Sequence, residues 1–427
     1  MENTRKWLPN FRDLSEEQTR AINSSFDDNM IVYGPAGGGK TAIAIFRAKS
    51  ISDQAQSRST EANFQVFVFT LVLRDFIRSV SDDLGIPAPR VRSFYGWLHE
   101  LYRDVIDPTD NAGHSREQWK VWVSRLLAHF ERCPAAVPRI DHIIIDEAQD
   151  FDSDIARLIN IISPNVMACG DIAQTFTSHT ENRSFNEFKN AWLPHDRIGT
   201  IFPLLSNYRT SKQIAAVAAY FLDANSGWSR NSFVENTVGY GPETRRQTAV
   251  GLPVWHFSRS RAEIAATIGS LLRNNRGAMR IGILVRTWNE AMSLHALLAE
   301  TGSPDVRVIS NMSTSPRQWS DGIPVITTIH SSKGLEFDTV VLPDLSDADW
   351  HVGDEKNLSL NRRMLFVAIT RARIGLRLFA LGPDMPPMFE GIPESLFQMP
   401  RSAPISGPST SGGMPGKPEI DPDDLPF

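Results

Sequence analysis

Ile31-Val32-Tyr33-Gly34-Pro35-Ala36-Gly37-Gly38-Gly39-Lys40-Thr41 decides the fold of this chain. Three apolar residues end a strand, glycines free the backbone to turn its N–H groups inward, and Lys40 and Thr41 open a helix expected over Thr41 to Lys49. In that setting Gly34-x-x-x-x-Gly39-Lys40-Thr41 is a phosphate cradle. The amides wrap the phosphates, Lys40 reaches the β and γ oxygens, and the Thr41 hydroxyl holds Mg²⁺. Gly34, Pro35, Ala36, Gly37, Gly38, Gly39, Lys40 and Thr41 are thus candidate ATP-binding residues, and Thr41 is also a candidate metal ligand.

Outward from the cradle, Gln65-Val66-Phe67-Val68-Phe69 and Ile143-Ile144-Ile145 are further short β-branched or apolar runs. They are separated by helix-permissive segments, the pattern of a buried parallel sheet. A second series follows in Pro253 to Phe257, Ile281 to Val285, Val306 to Ile309 and Val325 to Thr328, with helices expected over Ser260 to Arg273 and Asn289 to Glu300. Strand and helix alternate twice over, so two α/β domains with parallel sheets are expected, divided near Leu205. The length of 427 residues fits two cores better than one.

No run of eighteen apolar residues occurs, and Met1-Glu2-Asn3-Thr4-Arg5-Lys6-Trp7 has no apolar signal segment, so a cytoplasmic protein without membrane contact is expected. Cys133 and Cys169 form no Cys-x-x-Cys pair and read as buried small hydrophobes. The formal charge of −5 is concentrated at the end, where Ser402 to Phe427 carries one Lys against Glu419, Asp421, Asp423 and Asp424. The body is close to neutral, so a nucleic acid would have to meet a local basic surface.

Asp146 and Glu147 follow the Ile143-Ile144-Ile145 strand directly, which places them at its carboxyl edge, where parallel sheets bind ligands. There Asp146 can reach Mg²⁺ through water and Glu147 can act as general base on the attacking water. Trp119 and Trp122, beside Leu126, read as a helix packing stripe.

Ile143 to Asp150, reading Ile-Ile-Ile-Asp-Glu-Ala-Gln-Asp, resembles motif II of superfamily 1 helicases of the UvrD/Rep/PcrA type, and the rest of that series appears in order. Leu14-x-x-x-Gln18-x-x-Ala21-Ile22 is similar to the Q motif, which implies adenine recognition by Gln18. Val91-Arg92-Ser93-Phe94-Tyr95-Gly96 resembles a segment that touches single-stranded DNA, and Gly170-Asp171-Ile172-Ala173-Gln174 resembles motif III, with Gln174 as γ-phosphate sensor. Asn207-Tyr208-Arg209-Thr210 implies Tyr208 on adenine and Arg209 as an arginine finger. Thr328 to Phe337 is similar to motif V, implying that Thr328 and His330 face DNA and Glu336 the nucleotide. Arg362 to Ala372 resembles motif VI, carried on an arginine-bearing helix, with Arg371 as a second finger.

The resemblance, spanning Leu14 to Phe379, implies two RecA-like P-loop domains, 1–205 with a small insertion about 97–140 and 206–382, and a disordered Pro/Gly/Ser tail over 383–427. It implies an ATP- and Mg²⁺-dependent motor on single-stranded DNA, moving 3′ to 5′, with Lys40, Asp146, Glu147, Gln174, Arg209 and Arg371 catalytic. Phe69, Thr70, Ser93, Phe94, Tyr95, Thr328 and His330 are the DNA candidates, and Phe69, Phe94, Tyr95, Trp97 and Phe176 are the aromatics able to stack on bases, although judged singly each reads as core except Phe94 and Tyr95, whose motif position favours DNA. The long insertions of large relatives are missing, motif III lacks its Tyr-x-Phe-Arg continuation, and Asn361 stands where Glu is common. These departures leave open a regulatory ATPase subunit that gates a partner nuclease, as in anti-phage or repair complexes, and an RNA-directed ATPase.

The last residues, Asp423-Asp424-Leu425-Pro426-Phe427, resemble the acidic tip of bacterial single-stranded DNA-binding protein. Such a tip would recruit a protein partner through a terminal Phe in an apolar pocket and a basic rim around the aspartates. A merely solubilising acidic tail is the alternative.

Overall fold

The computed structural model describes residues 8–68, 74–75, 77–78, 84–112, 115–175, 184–222, 227–239, 251–275, 277, 279–309, 322–346, 350 and 355–399. Within them the chain forms two six-stranded sheets in which every pairing is parallel. The first is built from β1 (Asn29–Tyr33), β2 (Phe64–Val68), β3 (Val91–Ser93), β4 (His142–Ile145), β5 (Asn165–Gly170) and β6 (Gly199–Pro203), in the order β3-β2-β4-β5-β1-β6. The second contains β7 (Val254–Ser258), β8 (Ile281–Val285), β9 (Arg307–Ile309), β10 (Val325–Thr328), β11 (Phe337–Leu342) and β12 (Ala372–Leu381), in the order β7-β12-β11-β8-β10-β9. This is the α/β architecture with two parallel sheets expected from the strand series. The tail from 400 onward, including Asp423 to Phe427, lies outside the described residues, as do Phe69, Thr70 and Phe176.

Helices cover both faces of each sheet, which is why the strands read as continuous apolar runs rather than alternating ones. Successive residues still point to opposite sides. Met30 and Val32 pack with Ala42, Ile43, Ile45 and Phe46 of the helix Lys40–Ser57, while Ile31, Ile143 and Ile145 join Leu98, Trp122, Leu126 and Ile159 on the other face. In the second sheet, Ile281, Ile283 and Val341 meet Ile264, Ile268 and Leu298, and Leu284, Val340 and Leu378 meet Leu365 and Phe366. That last cluster also takes in Ala36 and Ala173 from the first half, so the two halves share apolar contact beside the cradle.

Three local expectations change. The cradle helix runs to Ser57, well beyond Lys49. Cys169 is buried in β5, but Cys133 is exposed, because it caps the helix Arg116–Arg132 where the chain leaves the core. The helix of the last motif, Glu355–Ile369, stops short of Arg371. Thr370 turns its hydroxyl back onto the carbonyls of Phe366 and Val367, the Arg371 N–H closes a tight turn on Ala368, and β12 begins at Ala372. Arg371 is a turn residue and Arg373 a strand residue. Among the described residues no helix is long and apolar enough to cross a membrane.

Candidate nucleotide-hydrolysis site

β1, β4 and β5 lie side by side, and their carboxyl ends present the cradle, Asp146-Glu147 and Gly170-Asp171 to one crevice. Gly37 and Gly39 take φ of 77° and 89°, in the left-handed region that glycine enters without strain. A Cβ on Gly37 would stand 2.1 Å from Asn207 Oδ1 and 2.7 Å from Arg209 Cβ, so the cradle is pressed against a segment beyond the first sheet. The Tyr208 N–H donates to the Gly37 carbonyl at 2.9 Å, and Asn207 Oδ1 accepts from the Arg209 N–H at 3.0 Å.

Lys40 is buried and its Nζ donates to the carbonyls of Gly34 and Pro35, 2.9 Å each. Gln18 is also buried, and both ends of its amide are engaged within the protein. Its Nε2 donates to Gly38 O at 2.9 Å and its Oε1 accepts the Ser15 N–H at 2.9 Å, closing the capping box of the helix Glu16–Asn23. Gln18 therefore ties that helix to the cradle.

Thr41 Oγ1 donates to Asp146 Oδ2 at 2.6 Å. Burial first, and the neighbouring Glu147 second, push the Asp146 carboxyl up to about 7. A hydroxyl and a carboxylate side by side, short of compensating positive charge, form a hard-oxygen donor set of the kind Mg²⁺ takes, so the residues present fit that ion. Glu147 behaves oppositely. Burial raises it, but Lys333, Lys40 and Arg371, with a hydrogen bond from Gln149, outweigh burial and hold it below the usual glutamate range.

From Glu147 a relay of side chains crosses the cleft. Gln149 Nε2 donates to Glu147 Oε2 at 2.6 Å while its Oε1 accepts the Asp171 N–H at 3.0 Å. Gln174 Nε2 donates to Asp171 Oδ2 at 2.7 Å, and Gln174 Oε1 accepts from Arg371 Nη2 at 2.5 Å. Arg371 is buried, with its Nε and Nη1 on the carbonyls of Val367 and Leu335. Burial, then the nearby Arg209, lower its pKa to about 9, which leaves it charged at neutral pH. Arg209 donates to Thr370 O at 3.4 Å and lies 3.5 Å from Glu336, which also faces Arg373 at 3.7 Å. A second crossing is an ion pair: Lys333 Nζ stands 2.7 Å from both oxygens of Asp150, with both side chains fully buried.

The structure thus gathers Gly34 to Thr41, Asp146, Glu147, Gln174, Tyr208, Arg209, Glu336 and Arg371 around one cleft. The DNA candidates are more dispersed. Phe94 has no exposed surface, being locked edge-on against Phe67 and Phe151, so its ring has no face left for a base. The spacing of Phe94, Trp97, Leu98, Leu101 and Tyr102 along the helix Phe94–Val105 was the sequence signal for that burial. Tyr95 is half-buried, stacked on Trp119 at 3.5 Å, and Ser93 is half-buried at the end of β3. Thr328 and His330 are half-buried where the chain leaves β10, Thr328 Oγ1 bonding to Ser331. Gln149, Asp150, Asp171 and Lys333 received no role from sequence, although they sit inside the quoted motifs.

Two family models match the chain. One describes an AAA domain and covers residues 18–179, and the other a UvrD-like helicase C-terminal domain over residues 305–380. No curated protein matches the chain. Among solved structures, the C-terminal domain of a possible DNA helicase from Lactobacillus plantarum WCFS1 aligns at 18% identity and a TM-score of 0.33, over 45% of this chain and 99% of that one. The AAA match spans the cradle, Asp146-Glu147 and Gln174, and the C-terminal match spans Lys333, Glu336 and Arg371. The two sides of the cleft are thus similar to different families, the first to an AAA domain and the second to the C-terminal domain of UvrD-like helicases.

Proposed function

We propose that this DNA helicase-type ATPase is a motor that tracks along single-stranded DNA, 3′ to 5′, hydrolysing ATP in the cleft between its two sheets. The observation that carries the reading is the contact of Arg371, from the second half, with Gln174 of the first, in line with Glu147. Mg²⁺, held by Thr41 and Asp146, would neutralise phosphate charge. Lys40 supports the β and γ oxygens, Glu147 takes the proton of the attacking water, and Gln174 registers the γ-phosphate. Arg209 and Arg371 meet the charge that develops in the transition state, and they do so only when the halves approach. Tyr208 and Gln18 border the adenine, and Ser93, Tyr95, Thr328 and His330 border the strand.

ATP turnover measured with single-stranded DNA, duplex and RNA tests the polymer, and strand displacement on 3′-tailed against 5′-tailed duplexes tests direction. Turnover indifferent to every nucleic acid would sink the motor. A second reading, an ATPase subunit gating a nuclease, is favoured by the small size of the segment between β3 and β4, which among the described residues holds the helices Phe94–Val105 and Arg116–Arg132 and one short helical turn. It predicts DNA-stimulated turnover with no strand displacement. The tip Asp423 to Phe427 is proposed to recruit a DNA-processing partner, and deleting Leu425 to Phe427 should abolish its co-purification.

A further inference from the structure

The ion pair between Lys333 and Asp150 lies outside the set of groups that touch nucleotide in the reading above, yet both of its side chains are fully buried where the two halves meet. Stability alone is a poor reason for it. Desolvating two charges offsets most of their attraction, and apolar residues of the same volume would hold the halves at least as well. What an ion pair adds is a strict geometric demand, met only when the second half is fully seated on the first.

The position of Asp150 says what that demand acts on. Glu147 has a φ of 55°, a left-handed conformation that costs a non-glycine residue about 1 kcal/mol or more, and it leads into the tight turn Ala148–Asp150. Asp150 ends that turn, and its N–H donates to the Glu147 carbonyl at 3.0 Å. Gln149, the middle residue, holds the Glu147 carboxylate itself. The backbone and the side chain of Glu147 are thus both set by three residues, the last of which is gripped from across the cleft. Lys333 belongs to the same connection between β10 and β11 that carries Thr328 and His330 at one end and Glu336 at the other.

We propose that Lys333 is a positioning residue that, as the halves seat, grips Asp150 and fixes the left-handed turn that aims Glu147 at its water. The proposal rests on the reading of Glu147 as general base. It makes full seating of the second half a condition for an aligned base as well as for delivery of the arginines.

The test compares the full-length wild type with Lys333→Met, Asp150→Asn, the double variant and Glu147→Gln. ATP turnover is measured with single-stranded DNA present, and ATP affinity by equilibrium binding. Each single change should lower kcat about 10- to 100-fold, the range a misplacement near 1 Å produces, with ATP affinity and KM within about threefold of wild type. The double variant leaves no unpaired buried charge, so it keeps the fold testable, and it should be no slower than the single variants because both residues act through one contact. Wild-type kcat in the double variant overturns the proposal, and so does a loss confined to ATP affinity and thermal stability. Unimpaired turnover in Glu147→Gln would instead remove the reading of the base on which the proposal stands.

Discussion

The two walls of the cleft carry opposite charge. The first wall, at the carboxyl ends of β4 and β5, presents Asp146, Glu147, Asp150 and Asp171, all buried. Apart from Lys40, the cations that meet these acids among the described residues come from the second wall, as Lys333 and Arg371, while Arg209 and Arg373 face Glu336 on their own side. A site assembled on one wall would be complete at all times. Divided this way, the acids find much of their countercharge only on the opposite wall, which under the proposed function would tie hydrolysis to the approach of the halves.

The division can be broken from either side. Removing a cation proposed to meet the transition state should cost most: Arg371→Ala is expected to lower kcat by about 10³- to 10⁵-fold while ATP still binds, read by steady-state turnover beside nucleotide binding. On the acidic wall, Glu147→Gln should lose about 10²- to 10⁴-fold and retain ATP, giving a trapped complex that filter binding would detect. An equal fall in affinity in either variant would show that the walls are not specialised as described. Gly37→Ala acts on the seam between them. Its Cβ would overlap Asn207 Oδ1, and its φ of 77° is unfavourable for alanine, so denaturant unfolding should show a loss of about 1 to 3 kcal/mol together with a raised KM for ATP.

Away from the cleft, a pH effect on stability is expected in β7. His256 stacks on Phe379 at 4.5 Å, and burial, then Arg377, lower its pKa to about 4. Because the folded value is depressed below the ordinary value near 6.5, the unfolded chain takes the proton first as pH falls. Stability from this residue is therefore full above pH 6.5 and lost progressively toward pH 4, by at most about 3 kcal/mol. His256→Gln should flatten that part of the pH–stability curve measured by chemical denaturation.

Sequence made the two-sheet plan, the cradle and Asp146-Glu147 legible because each is a local signal: a β-branched run followed by residues whose chemistry needs no distant partner to be read. The crossings were not legible. Lys333 and Asp150 stand 183 positions apart, and nothing in either neighbourhood says that one faces the other. Arg371 was readable as a cation on the second wall but not as a turn residue, since the helix ends where Thr370 folds its hydroxyl onto the preceding turn. Gln18 could be placed near the nucleotide but not seen to fasten the helix Glu16–Asn23 to Gly38. At Phe94 two signals competed, motif position and helical apolar spacing, and the core took the ring.

The two cysteines give the molecule a built-in reporter. Cys133 is exposed and Cys169 is sealed in the middle of the first sheet, with burial pushing its thiol far up in pKa, so the folded protein should consume one equivalent of a maleimide and the unfolded protein two. A dye at Cys133 can then be attached to the wild-type sequence without engineering, and the second equivalent counts molecules whose first sheet has come apart.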